Sequence, residues 1–348
     1  MKDIIRIGFI GAGSNTRDKH LPLFAEIPGI ELAAVCNRSL ESAQKVADQF
    51  KISKVSNHWQ DIIHDPEIDA ICIGTWPDMH ELLSTEALKA GKHVLCEARM
   101  ARTAHEAKNM LQLSRLHSQQ ISQVVPSPFT LHFDDSIKKL VKDGFFGQVL
   151  SINGRFNFTH LLNNETEMTW RENADISGYN TMLMGIMYEA IARWIGHAKS
   201  VMASSKTFTQ FKNFEGAARA VDVPEHIDIL SDMYCGAQMH LQFSSLTGLE
   251  ENNESIWIFG SKGTAHLDLR RDTLFVGQKG DTQLQPHSCS LIGNKSWRVE
   301  EEFINSIRGD EEVQLTTFQE AYKYMEFTEA VAKSCRLDKR IHLPLELN

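Results

Sequence analysis

The chain lacks the cysteine spacing of a disulfide-stapled domain or a zinc site. Its 348 residues include six cysteines, and no two of them form a Cys-x-x-Cys pair. Three of the six lie in apolar, strand-like runs, where a cysteine behaves as a small hydrophobe. We therefore expect neither a disulfide framework nor a bound metal.

Long hydrophobic runs and basic clusters are missing as well. No segment approaches the roughly 20 apolar residues that a membrane-spanning helix needs, and the first apolar run begins too early to leave room for a signal peptide. The net charge is −9 without a basic cluster, which argues against nucleic acid and anionic membranes as partners. The remaining composition is that of an ordinary globular protein, so we expect a cytoplasmic chain of two domains.

The most informative stretch is the first forty residues. An apolar run over 4–10 meets a glycine turn at 11–13, and a second apolar run follows at 31–36. This order predicts a strand, a turn, a helix and a strand, in which the turn and helix start can bind a pyrophosphate. Thr16 replaces the third glycine of the usual fingerprint, but the surrounding order of strand, helix and strand supports a nucleotide site. The structural alternative is a plain turn between strand and helix that needs a positive φ. The predicted dinucleotide-binding residues here are Gly11, Gly13, Ser14, Asn15 and Thr16.

The end of the second predicted strand bears on the choice of dinucleotide. NAD-binding proteins usually place an acidic residue there, whereas this chain has Asn37 followed by Arg38. A guanidinium suits a 2′-phosphate, so NADP is favoured over NAD. The alternative is that Arg38 stacks on the adenine without contacting a phosphate.

The rest of the chain divides into two patterns. Strands and helices alternate up to residue 125, which predicts a doubly wound parallel sheet, the Rossmann arrangement. After Pro126, strand-like runs at 148–158, 200–207, 226–234, 238–244, 254–259 and 265–269 are separated mainly by turns. We therefore predict a second domain, residues 126–348, of α+β class with an open, mostly antiparallel sheet.

Several short motifs together resemble the Gfo/Idh/MocA family of NAD(P)-dependent oxidoreductases. They lie at 11–13, 74–80, 90–97, 143–147, 170–171 and 260–264. The resemblance implies a Rossmann domain and a sheet domain whose cleft holds NAD(P) against a sugar or other polyol, often in homodimers or homotetramers. It adds six residues to the predicted cofactor site: Thr75, Trp76, His80, Glu97, Trp170 and Arg171. For His80, a structural hydrogen bond to its own loop is the alternative to a contact with nicotinamide.

The sequence departs from this family where the family keeps its proton-transfer groups. The lysine of the Glu-Lys-Pro motif is replaced by Ala98, and the Asp-x-x-x-His pair aligns with Leu183 and Met187. In the family that pair lies at i and i+4, on one helical face. The family's acid/base chemistry therefore cannot be carried over to this chain.

Three residues are candidates for replacing the missing groups. Arg99 offers a fixed cation that can stabilise an oxyanion, with a salt bridge at the domain junction as the structural alternative. Tyr188, followed by Glu189, can act as an acid/base if the pKa of its phenol is lowered. The alternative is a half-buried aromatic and a capping or solvated carboxylate. His160 is a weaker candidate, because the chain has 15 histidines.

Three functions are compatible with these residues. The first is hydride transfer between NAD(P) and a CH-OH or ketone carbon of a sugar, polyol or related carbohydrate. The second is a glycosidase or lyase that retains its cofactor, oxidises the sugar transiently and eliminates a substituent, with Tyr188 handling the proton and Arg99 holding the enolate. The third is an inactive ligand-binding or sensor protein. We rank them in that order.

Overall fold

The computed structural model describes residues 4–157, 166–247, 254–289 and 297–346, so His160 lies outside the described residues. The chain forms two compact units. The first unit comprises residues 1–126 and 298–322, and the second comprises 127–297 and 323–348. The predicted division has a single crossing between residues 125 and 126, whereas in the structure the chain also returns to the first unit at Arg298.

The first unit contains a six-stranded parallel sheet. Its strands are β1 Ile5–Ile10, β2 Ile30–Cys36, β3 Lys54–Ser56, β4 Ala70–Ile73, β5 His93–Cys96 and β6 Ser122–Val124. They lie in the order β3-β2-β1-β4-β5-β6, and every pairing is parallel. All four residues of β4 are buried, as expected for a parallel sheet covered on both faces. The predicted Rossmann sheet is confirmed.

Helices connect these strands. They are α1 Leu21–Glu26, α2 Leu40–Phe50, α3 Trp59–Ile63, α4 His80–Lys89 and α5 Ala104–Leu116. Helix α1 continues a π-helical turn, Thr16–His20. The side chains of Ser39 and Thr103 cap α2 and α5 by accepting hydrogen bonds from backbone N–H groups, which satisfies donors that a helix start leaves unpaired.

The second unit contains a nine-stranded sheet. Its strands are β7 Val149–Asn157, β8 Ala198–Lys206, β11 His226–Met233, β12 Gln238–Ser244, β13 Glu254–Gly260, β14 Gly263–Asp268, β15 Thr273–Gln278, β16 Gln285–His287 and β17 Ile341–His342, and the strands β9 Phe211–Phe214 and β10 Ala217–Ala220 form a separate hairpin. The nine strands of the large sheet lie in the order β16-β15-β14-β13-β7-β12-β11-β8-β17. Strands β7 and β12 pair in parallel, and the other described pairings in this sheet are antiparallel. The predicted mostly antiparallel sheet is confirmed.

The remaining helices are distributed over both units. They are α6 Leu131–Lys142, α7 Ala174–Ser177, α8 Met184–Ile195, α9 Val299–Arg308 and α10 Phe318–Leu337. Helix α9 belongs to the first unit, where the ring of Phe303 contacts that of Phe24 with centroids 6.4 Å apart. Within the described ranges, no helix combines the length and the apolar character needed to cross a membrane.

One face of the large sheet carries a continuous row of partly exposed side chains, which we call the open-face row. Residues paired in register across seven strands share this face. Leu230 is 46% exposed and Met202 is 43% exposed, and the rings of Trp257 and His266 stack with centroids 3.9 Å apart. The row consists of Phe275, His266, Trp257, Asn153, His240, Leu230 and Met202.

The turns that follow β1 and β4 approach each other at two glycines. A Cβ atom on Gly74 would lie 2.1 Å from Thr16 Oγ1 and 2.5 Å from the Gly11 carbonyl oxygen. Gly11 has φ 85°, and a Cβ atom there would lie 2.6 Å from the Thr75 nitrogen. Thr16, which replaces the third fingerprint glycine, therefore fits because residue 74 has no side chain.

We expect the Gly74→Ala variant to lose about 1–3 kcal/mol of unfolding free energy, because the added methyl group overlaps Thr16 and the Gly11 carbonyl. Chemical denaturation of the protein without added nucleotide measures this loss. Gly13→Ala is the matched control, because the nearest atom to its added methyl lies 3.9 Å away. The variant Thr16→Ala/Gly74→Ala should recover part of the loss. Equal stability of Gly74→Ala and Gly13→Ala would contradict the explanation.

Candidate functional site

The glycine turn lies where the strand order of the first unit reverses. The N–H of Gly11 donates to the Cys36 carbonyl at 2.8 Å, and the N–H of Ala12 donates to Asn37 Oδ1 at 2.7 Å. The turn after β1 is thereby fixed to the end of β2. In open α/β sheets this switch point, at the carboxyl ends of the strands, is where ligands bind.

The residues after the turn present backbone to solvent. Gly13, Ser14 and Asn15 are exposed, whereas Thr16 is buried. A helical segment begins at Ser14 and runs through the π-helical turn into α1. The first N–H groups of a helix have no partner within the helix and carry its positive dipole end, so this exposed start can accept an anionic group.

Arg38 and Trp76 come together from the ends of β2 and β4. The guanidinium carbon of Arg38 lies 4.7 Å from the centroid of the Trp76 ring, which is cation–π distance. Asn37 binds the glycine turn through its side-chain oxygen. The residue at the usual place of the acidic ribose ligand is therefore engaged with the protein backbone.

The contacts of His80 agree with the structural alternative, in which its ring binds the protein's own loops. Its ring is buried, with Nδ1 2.9 Å from the Arg99 carbonyl oxygen and Nε2 3.1 Å from the Thr75 carbonyl oxygen. Burial lowers the pKa of this histidine, despite the opposing effect of the two carbonyls. His80 thus ties the loop after β4 to the loop after β5. Arg99, on that second loop, is 7% exposed.

Glu97, at the end of β5, is bound by protein donors on both oxygens. Its Oε1 lies 2.9 Å from His20 Nε2 and also accepts from the Asn15 amide, and its Oε2 accepts from the Ala98 N–H at 3.1 Å. Burial acts to raise the pKa of Glu97, but His20 and the hydrogen bonds outweigh it and hold this pKa below its ordinary value.

Sequence reasoning missed His20, because one histidine among 15 carries no distinguishing signal.

In the second unit, Trp170 and Arg171 lie on a short 3-10 turn, Trp170–Glu172. The guanidinium carbon of Arg171 lies 4.2 Å from the Trp170 ring centroid. The turn is held by Glu172, which accepts from Thr169 and pairs with the buried Lys212 at 2.7 Å. The turn that carries the two residues is thereby tied to β9 of the hairpin.

Tyr188 lies inside the core of the second unit. It is 1% exposed, its ring stacks on Phe327 with centroids 3.6 Å apart, and its hydroxyl accepts from the Ala198 N–H at 2.9 Å. A phenol enclosed in this way has no route to a substrate. We therefore correct the prediction for Tyr188 and assign it a packing role.

The carboxylate of Glu189 is also engaged by protein groups. It is 4% exposed, pairs with Arg193 and accepts from the Ser127 N–H at 3.2 Å. Arg193 in turn lies 2.9 Å from Asp134. Burial acts to lower the pKa of Arg193, but the two carboxylates outweigh it and raise this pKa further, so the cation is permanent. We assign Glu189 to this buried ion network rather than to proton transfer.

The positions of the family's acid/base pair are apolar in the structure. Leu183 directly precedes α8, and Met187 is 1% exposed within that helix. No group of three or more histidine, cysteine, aspartate or glutamate side chains able to hold a metal is present among the residues that the structure describes.

The six-stranded sheet with its glycine turn at the switch point defines the first unit as a dinucleotide-binding Rossmann domain. Residues 5–124 match the family model for the oxidoreductase family with an NAD-binding Rossmann fold, and residues 135–266 match the GFO/IDH/MocA C-terminal domain. The chain belongs to the GFO/IDH/MocA oxidoreductase family.

Individual relatives are distant. Levoglucosan dehydrogenase of Pseudarthrobacter phenanthrenivorans is 23% identical over 298 residues, which cover 79% of this chain and 75% of that protein. Inositol 2-dehydrogenase of Salmonella typhimurium is 26% identical over 155 residues, 43% of this chain and 45% of that protein. The solved structure of levoglucosan dehydrogenase with NADH and levoglucosan superposes with a TM-score of 0.86 at 21% identity, over 98% of this chain and 100% of that chain. This last likeness shows the same fold.

The packing role of Tyr188 can be tested by Tyr188→Phe. We expect a loss of about 1–2 kcal/mol of unfolding free energy, because the Ala198 N–H loses its buried acceptor, and unchanged turnover in any activity found. Tyr179→Phe is the matched control, since Tyr179 is 54% exposed. A large loss of turnover at unchanged stability would instead restore Tyr188 as a proton-transfer group.

Proposed function

We propose that this chain is an NAD(P)-dependent oxidoreductase that transfers hydride at a CH-OH or ketone carbon of a sugar, polyol or related carbohydrate derivative. The observation that carries the proposal is the glycine turn, fixed to Asn37 at the switch point of the Rossmann sheet. The names of the two dehydrogenase relatives support the substrate class.

Several of the proposed cofactor residues have a role consistent with their placement. The backbone of Gly13, Ser14 and Asn15 would receive the pyrophosphate at the exposed helix start. Arg38, stacked on Trp76, would receive the ribose 2′-phosphate. Trp170 and Arg171 present an aromatic surface and a cation on the second unit. The nicotinamide, when bound, supplies the hydride chemistry, and the protein supplies orientation and charge.

Arg99 remains the proposed electrostatic group. Ala98 stands in place of the family lysine, and Arg99 follows it on the loop after β5. A guanidinium stays protonated near neutral pH, so it can stabilise an alkoxide but cannot accept its proton.

Turnover assays test the reaction directly. A panel of aldoses, polyols and anhydrosugars should be incubated with NAD⁺ and with NADP⁺ while reduced nicotinamide is followed. We expect net reduction of the cofactor with at least one compound. Cofactor binding with no turnover on the whole panel would contradict an oxidoreductase and favour a ligand sensor.

A redox-neutral glycosidase or lyase is the second candidate, favoured by the apolar residues at 98, 183 and 187. A dinucleotide held at the glycine turn would supply transient oxidation of the sugar, which would permit elimination before the hydride is given back. Exchange of a substrate carbon-bound hydrogen with deuterated solvent, without net cofactor reduction, would identify it. Net reduction without exchange would exclude it.

The preference for NADP rests on Arg38. We expect Arg38→Ala to weaken NADP⁺ binding roughly ten- to a hundredfold, because a charge-assisted contact to the 2′-phosphate is lost, and to change NAD⁺ binding little. Calorimetric titration with both cofactors measures this. Lys45→Ala is the control, since the Lys45 side chain is 75% exposed on α2. Equal weakening for both cofactors would show instead that Arg38 stacks on the adenine.

We also propose that the chain forms a homodimer or homotetramer through the open-face row. The row combines partly exposed apolar side chains, among them Leu230, Met202 and Trp257, on one sheet face, and contiguous exposed apolar surface marks an interaction site. We expect sedimentation to show an oligomer for the wild type and a monomer for Trp257→Glu. Phe211→Glu is the control, because Phe211 is 64% exposed and lies on β9 of the separate hairpin, outside the nine-stranded sheet. A wild-type monomer, or an oligomer unaffected by Trp257→Glu, would contradict this interface.

A further inference from the structure

His20 is a buried histidine placed between two carboxylates. Its side chain has 0% exposure and sits at the end of the π-helical turn. Nδ1 lies 2.5 Å from Glu300 Oε1, and Nε2 lies 2.9 Å from Glu97 Oε1. The three residues come from different parts of the first unit: the segment after the glycine turn, the end of β5, and α9.

The two carboxylates favour a charged ring at His20, unlike the uncharged carbonyl partners of His80. A neutral imidazole has one N–H, whereas an imidazolium can donate from both nitrogens. Both ring nitrogens of His20 face carboxylate oxygens, so only the imidazolium satisfies both contacts. Burial alone would lower the pKa of His20, but Glu300 and Glu97 raise it from 6.5 to about 9.

The contacts of His20 reach the start of the dinucleotide site. Glu97 binds His20 and the side-chain amide of Asn15 through the same oxygen. Asn15 belongs to the exposed helix start beside Gly13. A hydrogen-bonded chain therefore runs from Glu300 through His20 and Glu97 to the backbone segment expected to receive the pyrophosphate.

We propose that His20 is a positioning residue for the dinucleotide: its imidazolium holds Glu97, and through Glu97 the Asn15 segment, in the arrangement that binds the cofactor. The inference rests on the proposed function, because it concerns the same dinucleotide site. His20 itself touches neither the cofactor nor the substrate in this role.

The charge of the cluster couples its protonation to an anionic ligand. With His20 charged, the cluster carries one net negative charge; with His20 neutral it carries two and leaves one carboxylate without its donor. Titratable groups described near these carboxylates include the buried thiols of Cys72 on β4 and Cys96 on β5, whose pKa values burial raises, and His80, whose pKa burial lowers. These three stay neutral as His20 titrates. Dinucleotide binding should therefore favour the protonated state.

The test is the dissociation constant of NADP⁺ and NAD⁺, measured by calorimetry from pH 6.5 to pH 10. For the wild type we expect a constant value at the low end and roughly tenfold weaker binding as the pH rises through about 9. His20→Gln should bind more weakly at pH 7 and show no such dependence. Glu300→Gln should move the midpoint to lower pH, since one of the two carboxylates that stabilise the cation is removed. His105→Gln, at an exposed position on α5, is the matched control and should follow the wild type.

A second measurement separates binding from folding. The folded pKa of about 9 lies above the ordinary 6.5, so the stability contributed by His20 is complete below about pH 6.5 and is lost as the pH rises through about 9. Thermal unfolding without cofactor should show this loss in the wild type and not in His20→Gln. A purely structural His20 would change unfolding but leave the pH dependence of binding the same in both proteins.

The outcomes distinguish this inference from the function on which it rests. Parallel pH profiles of binding in the wild type and His20→Gln would overturn the positioning role while leaving dinucleotide binding intact. Wild-type protein that binds neither dinucleotide at any pH would overturn both. If His20→Gln does not fold, the wild-type and Glu300→Gln profiles still decide: a flat wild-type profile, or an unmoved midpoint in Glu300→Gln, overturns the proposal.

Discussion

The close approach of the turns after β1 and β4 is the constraint on which the dinucleotide end of the first unit depends. Backbone from the two turns comes so near that neither Gly11 nor Gly74 can carry a side chain without displacing main-chain atoms. This contact fixes the path of the chain into the π-helical turn, which carries His20 to Glu97. The same turn is held on its other side by Asn37. The close backbone approach thus holds the ends of β1 and β4 together, and Asn37 fixes the end of β2 to the same turn.

Buried charged side chains form ion pairs in both units, and this pairing limits which residues can take part in proton transfer. In the first unit Glu97 and Glu300 face His20, and in the second Glu189 and Asp134 face Arg193. A buried charge that loses its partner is strongly destabilising. Carboxylates committed in this way cannot also serve as proton acceptors for a substrate, which is the physical reason for removing Glu189 from the catalytic candidates.

The sequence was sufficient for the fold and for the nucleotide turn, because both are written in local patterns. Apolar runs alternating with helices predicted the parallel sheet, and the two glycines after the first run predicted the turn at Gly11 and Gly13. Side-chain partners across the fold could not be read in this way. Nothing local pairs His20 with Glu300, which lies 280 residues later, and the periodicity around Tyr188 does not distinguish a core tyrosine from a catalytic one. Thr16 departs from the fingerprint, and its compensation by Gly74, 58 residues later, is likewise not visible in the local pattern.

The positions of His20, His80 and Arg99 limit which side chain could accept a proton from a substrate hydroxyl. Oxidation of a CH-OH carbon releases one proton along with the hydride, and a general base must lie within reach of the hydroxyl. Among the candidates described at the nucleotide end of the first unit, His20 pairs with two carboxylates that raise its pKa to about 9, His80 has both ring nitrogens near carbonyl oxygens, and Arg99 stays protonated near neutral pH. Arg99 is the proposed successor of the family lysine for electrostatic stabilisation, and none of these three residues supplies a proton acceptor.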